Sequence, residues 1–327
     1  MACCALLELL KKRVRNIRKE NYLEPNSRLD LSVIIVSYNT ADYLGRCLNS
    51  VASQSSVTSE IIVVDNCSQD GSPDFLREKF PWVKLIANDR NLGFSRANNQ
   101  ALKICKGGYV YYLNPDTEVQ PNAFRKMVDF MDSHPDVGLA GTRLVYPDGS
   151  LQPSVENRYP GQRYTQNELK GLKGDIAWVL GASMITRQAL IRTLKGFDEN
   201  FFLYGEDLDL CLRIRRAGWL IGHIPEAEVI HWEGKSERGN LPVEVWEKKI
   251  KAEFGFYRKH YSSKAVRAIE RSNLLQAYWR IFTLSLTLPF LENKEEALAK
   301  LEKYKLIQKI LGQQKYRIVS SGINKRK

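Results

Sequence analysis

The sequence predicts an α/β protein in which a mostly parallel central sheet is flanked by helices, followed by a helical C-terminal extension. Two observations predict it. From Leu31 onward, short β-branched apolar runs alternate with stretches whose apolar residues recur at helical spacing. In addition, polar clusters follow the ends of those runs, at Ser37-Tyr38-Asn39, Asp65-Asn66, Asn88 to Gly93, and Asn114 to Asp116. In parallel sheets, ligands collect at the carboxyl ends of the strands.

The elements follow in order. LSVIIVSYN is apolar and β-branched throughout, as a strand covered on both faces should be. Leu44, Leu48 and Val51 then recur at helical spacing. EIIVVDN, VKLIAND and YVYYLNPD supply the second, third and fourth strands, with helices expected over Pro73 to Lys79 and Ser95 to Lys106. PDGSLQP reads as a hairpin-like turn. Glu156 to Asp175 lacks an apolar period and reads as a mobile loop, and AWVLGASMITRQAL as a buried strand leading into a helix. GEDLDLCLRIRRAGW is expected to be a helix with Leu208, Cys211, Leu212 and Arg215 on one side. Trp246, Ile250, Phe254, Tyr257 and Tyr261 form a stripe at helical spacing, assigned to packing.

The 327 residues carry a net charge of +12, concentrated in KKRVRNIRK near the start and in the lysine-rich tail after Asn293. That placement favours attachment to an anionic membrane surface and argues against a nucleic-acid partner. MACCALLELLKKRVRNIRK has its apolar part before its basic part, so it reads as an amphipathic basic helix and not as a signal peptide. LLQAYWRIFTLSLTLPFL contains Gln276 and Arg280, which suits an interfacial helix, with Tyr278, Trp279 and Arg280 at headgroup level, or a helix packed on the main domain, more than a spanning one. The six cysteines form no CxxC pair or zinc spacing, and reduced thiols in a cytoplasmic protein are expected. The expected organisation is a basic N-terminal segment at 1–28, a catalytic domain at 29–262 and a helical, basic, membrane-associated region at 263–327.

YVYYLNPDTEV places a lone carboxylate, Asp116, after a buried strand. A turn at a strand end explains this, as does delivery of a ligand to a bound cation. No GxGxxG follows the first strand, and neither GxxxxGK[ST] nor G-x-S-x-G is present. What remains is a set of carboxylates, asparagines and one histidine, donors suited to a divalent cation and its phosphates.

Seven segments in order carry a resemblance: VIIVSYN, IIVVDNCSQDGS, NLGFSRANNQAL, YYLNPDTEV, WVLGASMITR, GFDENFFLYGEDLDLCLRIRRAGW and VIHWEG. Over Leu31 to about Gly234 the chain resembles family 2 glycosyltransferases of the GT-A fold, especially their rhamnosyltransferase-like branch. The resemblance implies that Tyr38 stacks on the donor's pyrimidine and that Asp65 or Asn66 reads its edge. It places Asn91, Gly93 and Arg96 beside the nucleotide, with Arg96 reaching toward a phosphate, and Gly181 at the donor-sugar and acceptor pockets. Asn114-Pro115-Asp116 aligns with the family's DxD, so Asp116, with Asn114 beside it and His231 closing the site, would hold magnesium or manganese against the diphosphate.

In GED, the resemblance makes Asp207 the catalytic base of an inverting transfer, and Glu206 a group that orients it or holds the acceptor. The implied reaction moves a sugar from a nucleotide-diphosphate donor to a glycan or lipid-linked glycan acceptor at the cytoplasmic face of the membrane; the branch points to L-rhamnose from dTDP-rhamnose, with UDP-linked galactose, galactofuranose and N-acetylhexosamine left open beside it. Two other readings stand beside it: a sugar-nucleotide nucleotidyltransferase, and a non-catalytic GT-A-like glycan-binding protein. The first expects a glycine-rich, lysine-containing loop after the first strand, where SYNTADYLGR stands.

Overall fold

A computed structural model describes residues 29–165, 167–232, 242–290 and 294–323. The basic N-terminal segment, with Cys3 and Cys4, lies outside the described residues. The chain divides into two compact units, one within Met1–Tyr159 and Gly171–Arg238, the other within Pro160–Lys170 and Gly239–Lys327.

The first unit runs β1 (Leu31–Ser37), α1 (Ala41–Ala52), β2 (Ser59–Asp65), α2 (Ser72–Lys79), β3 (Lys84–Ala87), α3 (Phe94–Ile104), β4 (Tyr109–Leu113) and β5 (Thr117–Val119). It continues with α4 (Ala123–Ser133), β6 (Val137–Val145), β7 (Val155–Glu156), β8 (Trp178–Val179), β9 (Ser183–Arg187), α5 (Gln188–Thr193), α6 (Glu206–Arg216) and β10 (Leu220–His231). Among the described residues, eight strands form one sheet in the order β3-β2-β1-β4-β9-β6-β10-β5. β1 lies parallel to both β2 and β4, and β6 parallel to β10; β9 and β5 run antiparallel to their neighbours. The sheet is mostly parallel, as the alternation predicts.

Successive side chains of a strand point to opposite faces, so a strand buried on both sides feeds two cores. Val33 and Ile35 of β1 pack with Leu44, Leu48 and Val51 of α1 and with Phe124 and Met127 of α4. Ile34 and Val36 pack on the other face with Ala97 and Ala101 of α3, Leu190 of α5, and Leu210, Cys211 and Ile214 of α6. Cys47, Cys105 and Cys211 are buried free thiols, small apolar groups in this packing.

The structure differs from the sequence reading along AWVLGASMITR. Instead of one strand, β8 pairs with β7 in a separate two-stranded sheet, and β9 inserts between β4 and β6. The break falls where the Leu180 N–H donates to Ser154 O at 2.9 Å and the Gly181 N–H donates to the Asp207 carboxylate at 3.1 Å. Outside partners take the amides that a continuous strand would have given to a ladder.

The second unit contains α7 (Pro242–His260), α8 (Ser263–Thr287) and α9 (Lys294–Ile323). Ser262 caps α8 by accepting from the Ala265 N–H. Ile250, Phe254, Tyr257 and Tyr261 are buried, the two tyrosine rings stack, and Tyr261 donates to Pro160 O at 2.7 Å. This is the packing role expected of the stripe. Among the described residues, no helix is long and apolar enough to cross a membrane.

Candidate active site

The carboxyl ends of β1 and β2 are tied together by their loops. Asn39 accepts from the Gln69 N–H at 2.7 Å, and its own N–H donates to Ser68 Oγ at 2.9 Å. Asp70 accepts from the Ala41 N–H at the start of α1, at 2.8 Å. Asn39, Cys67 and Tyr204 hold positive φ values of 53°, 69° and 71°, a conformation costly for residues with a Cβ. The surrounding contacts hold that strain at three strand or helix boundaries facing the same end of the sheet. Tyr38, directly after β1, is 39% exposed, so its ring is open to a ligand.

Asp65 and Asn66 are both buried but differently engaged. Asn66 donates to Asn91 Oδ1 at 2.9 Å and to Gly93 O at 3.3 Å, and accepts from the Leu92 N–H at 2.9 Å and from Asn88 at 3.2 Å. Its amide is committed to shaping the 88–93 turn. Asp65 accepts from the Ser68 N–H at 3.0 Å through Oδ2, while Oδ1 has no hydrogen-bond partner among the described residues. Asn91 is a structural acceptor, for Asn66 and for the Gly93 N–H. Gly93 has a φ of +83°, and a Cβ there would meet Phe202 at 2.6 Å. That close approach is made to the loop preceding Glu206, where the Phe94 N–H donates to Phe202 O at 2.7 Å. Arg96 lies at the surface, 3.3 Å from Glu199.

The sheet register builds the next group. β5 follows Asp116 directly and pairs antiparallel with β10 so that Thr117 faces His231. The Trp232 N–H donates to Asp116 O at 2.9 Å, and the Trp232 ring is braced by Tyr43 and by Arg46, 5.2 Å from its centroid. His231 Nε2 then stands 3.6 Å from Asp116 Oδ1, with both side chains almost fully buried. Asn114 is the neighbour on the other side, its N–H donating to Ala182 O at 2.9 Å.

Gln152 was not foreseen. It is buried, and its Oε1 lies 3.0 Å from His231 Nδ1. An amide oxygen only accepts, so Nδ1 is the donor in this contact, and the ring is held with Nε2 toward Asp116. PDGSLQP reads in sequence only as a turn, and the turn does form: the Tyr146 N–H donates to Ser150 O and Val145 bridges to Leu151. Nothing in the sequence of that turn sets the glutamine apart. Gln152→Leu keeps the volume and removes the acceptor. We expect the lost partner of the buried His231 ring to cost about 1–3 kcal/mol of stability, read as a lowered Tm; an unchanged Tm would take Gln152 out of this role.

The third group opens α6. Gly205, with φ of +80°, precedes Glu206 and Asp207. Asp207 accepts from the Gly181 N–H at 3.1 Å through Oδ2 and from the Leu208 N–H at 2.8 Å through Oδ1. Burial raises the proton affinity of Asp207, and the two N–H groups pull against it. Burial, and then the charge of Asp207, push Glu206 up to about 8. Glu206 Oε2 has no hydrogen-bond partner among the described residues. Both carboxyls of the pair therefore hold their protons more tightly than free ones would, Glu206 the more clearly. Asp209 and Arg213 form the expected pair four residues apart, at 2.7 Å.

Hydrogen bonds join these groups into one edge. Asp207 binds the N–H of Gly181; the next residue, Ala182, binds Asn114; and Asp116, two residues on, faces His231. A relay of hydrogen bonds through the break between β8 and β9 thus links the segment that Asp207 holds to the strand end that carries Asp116 and His231. Among the described residues, no group of three His, Cys, Asp or Glu could hold a metal. The donors near one another are Asp116 and His231, a carboxylate and an imidazole, which suit a divalent ion completed by phosphate oxygens.

Comparison with known proteins agrees with this architecture. The family model described as Glycosyl transferase family 2 matches residues 32–194. The chain is 28% identical over 236 residues to an N-acetylglucosaminyl-diphospho-decaprenol L-rhamnosyltransferase of Mycobacterium tuberculosis, covering 63% of this chain and 77% of that protein. It is 35% identical over 105 residues to the succinoglycan biosynthesis protein ExoO of Rhizobium meliloti, 32% of this chain and 30% of that one. In fold it is similar to the mannosyltransferase PcManGT of Pyrobaculum calidifontis in complex with GDP-Man and Mn2+, with a TM-score of 0.54, 16% identity, and 94% and 96% of the two chains covered. These agree with the GT-A architecture and with a rhamnosyltransferase-like sequence, and the chain belongs to glycosyl transferase family 2.

Proposed function

We propose that this glycosyltransferase moves L-rhamnose from dTDP-rhamnose, with inversion and with the help of a divalent cation, to a hydroxyl of a glycan or lipid-linked glycan. The observation that carries the reading is the hydrogen-bonded path from Asp207 through Gly181, Ala182 and Asn114 to the Asp116–His231 pair. It links the segment holding a carboxylate able to take a proton to a carboxylate and an imidazole suited to a cation and its phosphates. The rhamnosyl donor and the lipid-linked acceptor are suggested by the name of the mycobacterial relative, and the cation by the manganese in the PcManGT complex.

In this reading Tyr38 stacks on the base, and Asp65, whose Oδ1 is uncommitted, reads its edge while Asn66 holds the turn beneath. Asp207 takes the proton of the acceptor hydroxyl as its oxygen bonds to the anomeric carbon from the face opposite the departing nucleoside diphosphate. Glu206, carrying its proton, donates a hydrogen bond to a sugar oxygen. Asp116 and His231 would hold magnesium or manganese, which offsets the charge gained by the leaving diphosphate. Residues 29–262 carry transfer and residues 263–327 carry attachment to an anionic membrane surface on the cytoplasmic side.

Thermal-shift measurements with dTDP-rhamnose, UDP-N-acetylglucosamine and GDP-mannose, each with and without manganese, test the donor. A ligand at a hundred times its Kd stabilises by about 2.7 kcal/mol, enough to raise Tm measurably. The largest shift should come from dTDP-rhamnose with manganese. A larger shift with another donor would reassign the sugar, and no shift with any would remove the nucleotide-sugar site.

A further inference from the structure

α8 carries one face that the second unit leaves uncovered. With about 100° between successive residues, Lys264, Arg267, Arg271, Leu275, Tyr278, Trp279, Phe282 and Leu286 fall within an arc of about 120°, and all eight are exposed. Trp279 is 64% and Leu275 71% exposed, values far from those of a packed core. Ala265, Val266, Ile269, Leu274 and Ala277, on the remaining arc, are buried. The exposed face is therefore graded along its length, with three cations in its N-terminal half and aromatic and aliphatic side chains in its C-terminal half. Arg280, next to Trp279 in sequence, stands on the opposite side of the helix from this face.

We infer that this face of α8 docks on an anionic lipid bilayer, its aromatic end seated among the acyl chains and its basic end against the headgroups. The charge pattern selects the occupant. The exposed charged residues of α8 are all positive, and its one acid, Glu270, is half-buried and paired with Arg258 at 3.3 Å. A parallel second copy would set cations against cations, and an antiparallel one would bury them against leucine and phenylalanine. A bilayer offers both partners at once, hydrocarbon for Leu275, Phe282 and Leu286 and phosphate for Lys264, Arg267 and Arg271. Tyr278 and Trp279, at the junction, have the mixed apolar and polar character favoured at a membrane–water boundary. An apolar stretch of this length suits an interfacial helix, consistent with the lack of a spanning helix among the described residues.

This deepens the proposed membrane attachment, and rests on the transferase reading only for where the acceptor lies. The test is flotation of the full chain with phosphatidylcholine vesicles, with and without phosphatidylglycerol. Binding should require the anionic lipid and fall with salt. Phe282→Ser combined with Leu286→Ser should weaken it about tenfold or more, and Arg267→Gln with Arg271→Gln should lower both affinity and salt dependence. Lipids brominated near the headgroup should quench fluorescence in the wild type more than in Trp279→Phe. Because these side chains are exposed, Tm, donor binding and transfer to a water-soluble acceptor should be unchanged, so a failed docking face is distinguishable from a failed transferase. Equal vesicle binding by all variants would overturn the inference. So would absence of vesicle binding together with concentration-dependent dimers, in light scattering, that the same substitutions abolish.

Discussion

Asp207→Asn should lower sugar transfer by about 10³-fold, within the range typical for loss of a general base, while leaving the affinity for the nucleoside diphosphate close to that of the wild type. The carboxylate accepts from the N–H groups of Gly181 and Leu208 through different oxygens. An asparagine can accept on one oxygen only, so one of those donors loses its partner, at about 1–3 kcal/mol of stability. The fold should survive this, and nucleotide affinity measured by calorimetry separates loss of the base from loss of structure. Turnover near the wild-type rate would remove Asp207 from the role.

Glu206 adds a pH signature to the same experiment. Its carboxyl ionises near 8 in the folded chain, against an ordinary value of 4.5. Between those values the folded state holds a proton that the unfolded chain has released. The stability this contributes is fully present below about 4.5 and is lost as pH rises toward about 8. Glu206→Gln removes the titration, so its Tm should gain on the wild type steadily across that window. Parallel Tm curves would show that Glu206 ionises normally. Asp207→Asn should also reduce the slope, because the charge beside Glu206 is one of the causes of its shift.

Asp116→Ala should cost transfer about 10³-fold or more, the equivalent of several kcal/mol of charge stabilisation at the leaving group. The substitution spares the backbone bond from the Trp232 N–H to Asp116 O, so the pairing of β5 with β10 should hold. The effect should fall on the diphosphate: in manganese, affinity for dTDP should drop sharply and affinity for thymidine hardly at all. Equal weakening of both would place Asp116 away from the phosphates. His231→Ala should follow the same pattern more weakly, since it leaves the carboxylate of Asp116 in place.

Much of the frame was legible in sequence because it depends on local chemistry. Doubly covered strands need unbroken apolar runs, and β1, β2 and β4 announce themselves in that way. Their ends are marked by Asn, Asp and Gly because those residues tolerate the turns there. Other parts were hidden. β9 reads as a continuation of β8, since what separates them is the pull of Ser154 and Asp207 from distant parts of the chain. The turn of residues 88–93 reads as a nucleotide loop, yet Asn66, Asn91 and Gly93 spend their hydrogen bonds and close contacts on shaping it and on seating Phe202. Gln152 carries no local signature at all, because its importance comes from the single imidazole it meets.

The sequence by itself determined the alternation of strands and helices, the presence of carboxylates at the strand ends and the apolar character of the window from Leu274 to Leu291. These follow from periodicity and residue type, which each segment carries alone. Tertiary structure alone decided that Asp65 and not Asn66 keeps an oxygen uncommitted, that Gln152 orients His231, and that α8 turns three cations and five apolar side chains to one exposed side. Each of these depends on which partner occupies a hydrogen bond or covers a face, and partners are chosen only when residues far apart in the chain are packed together.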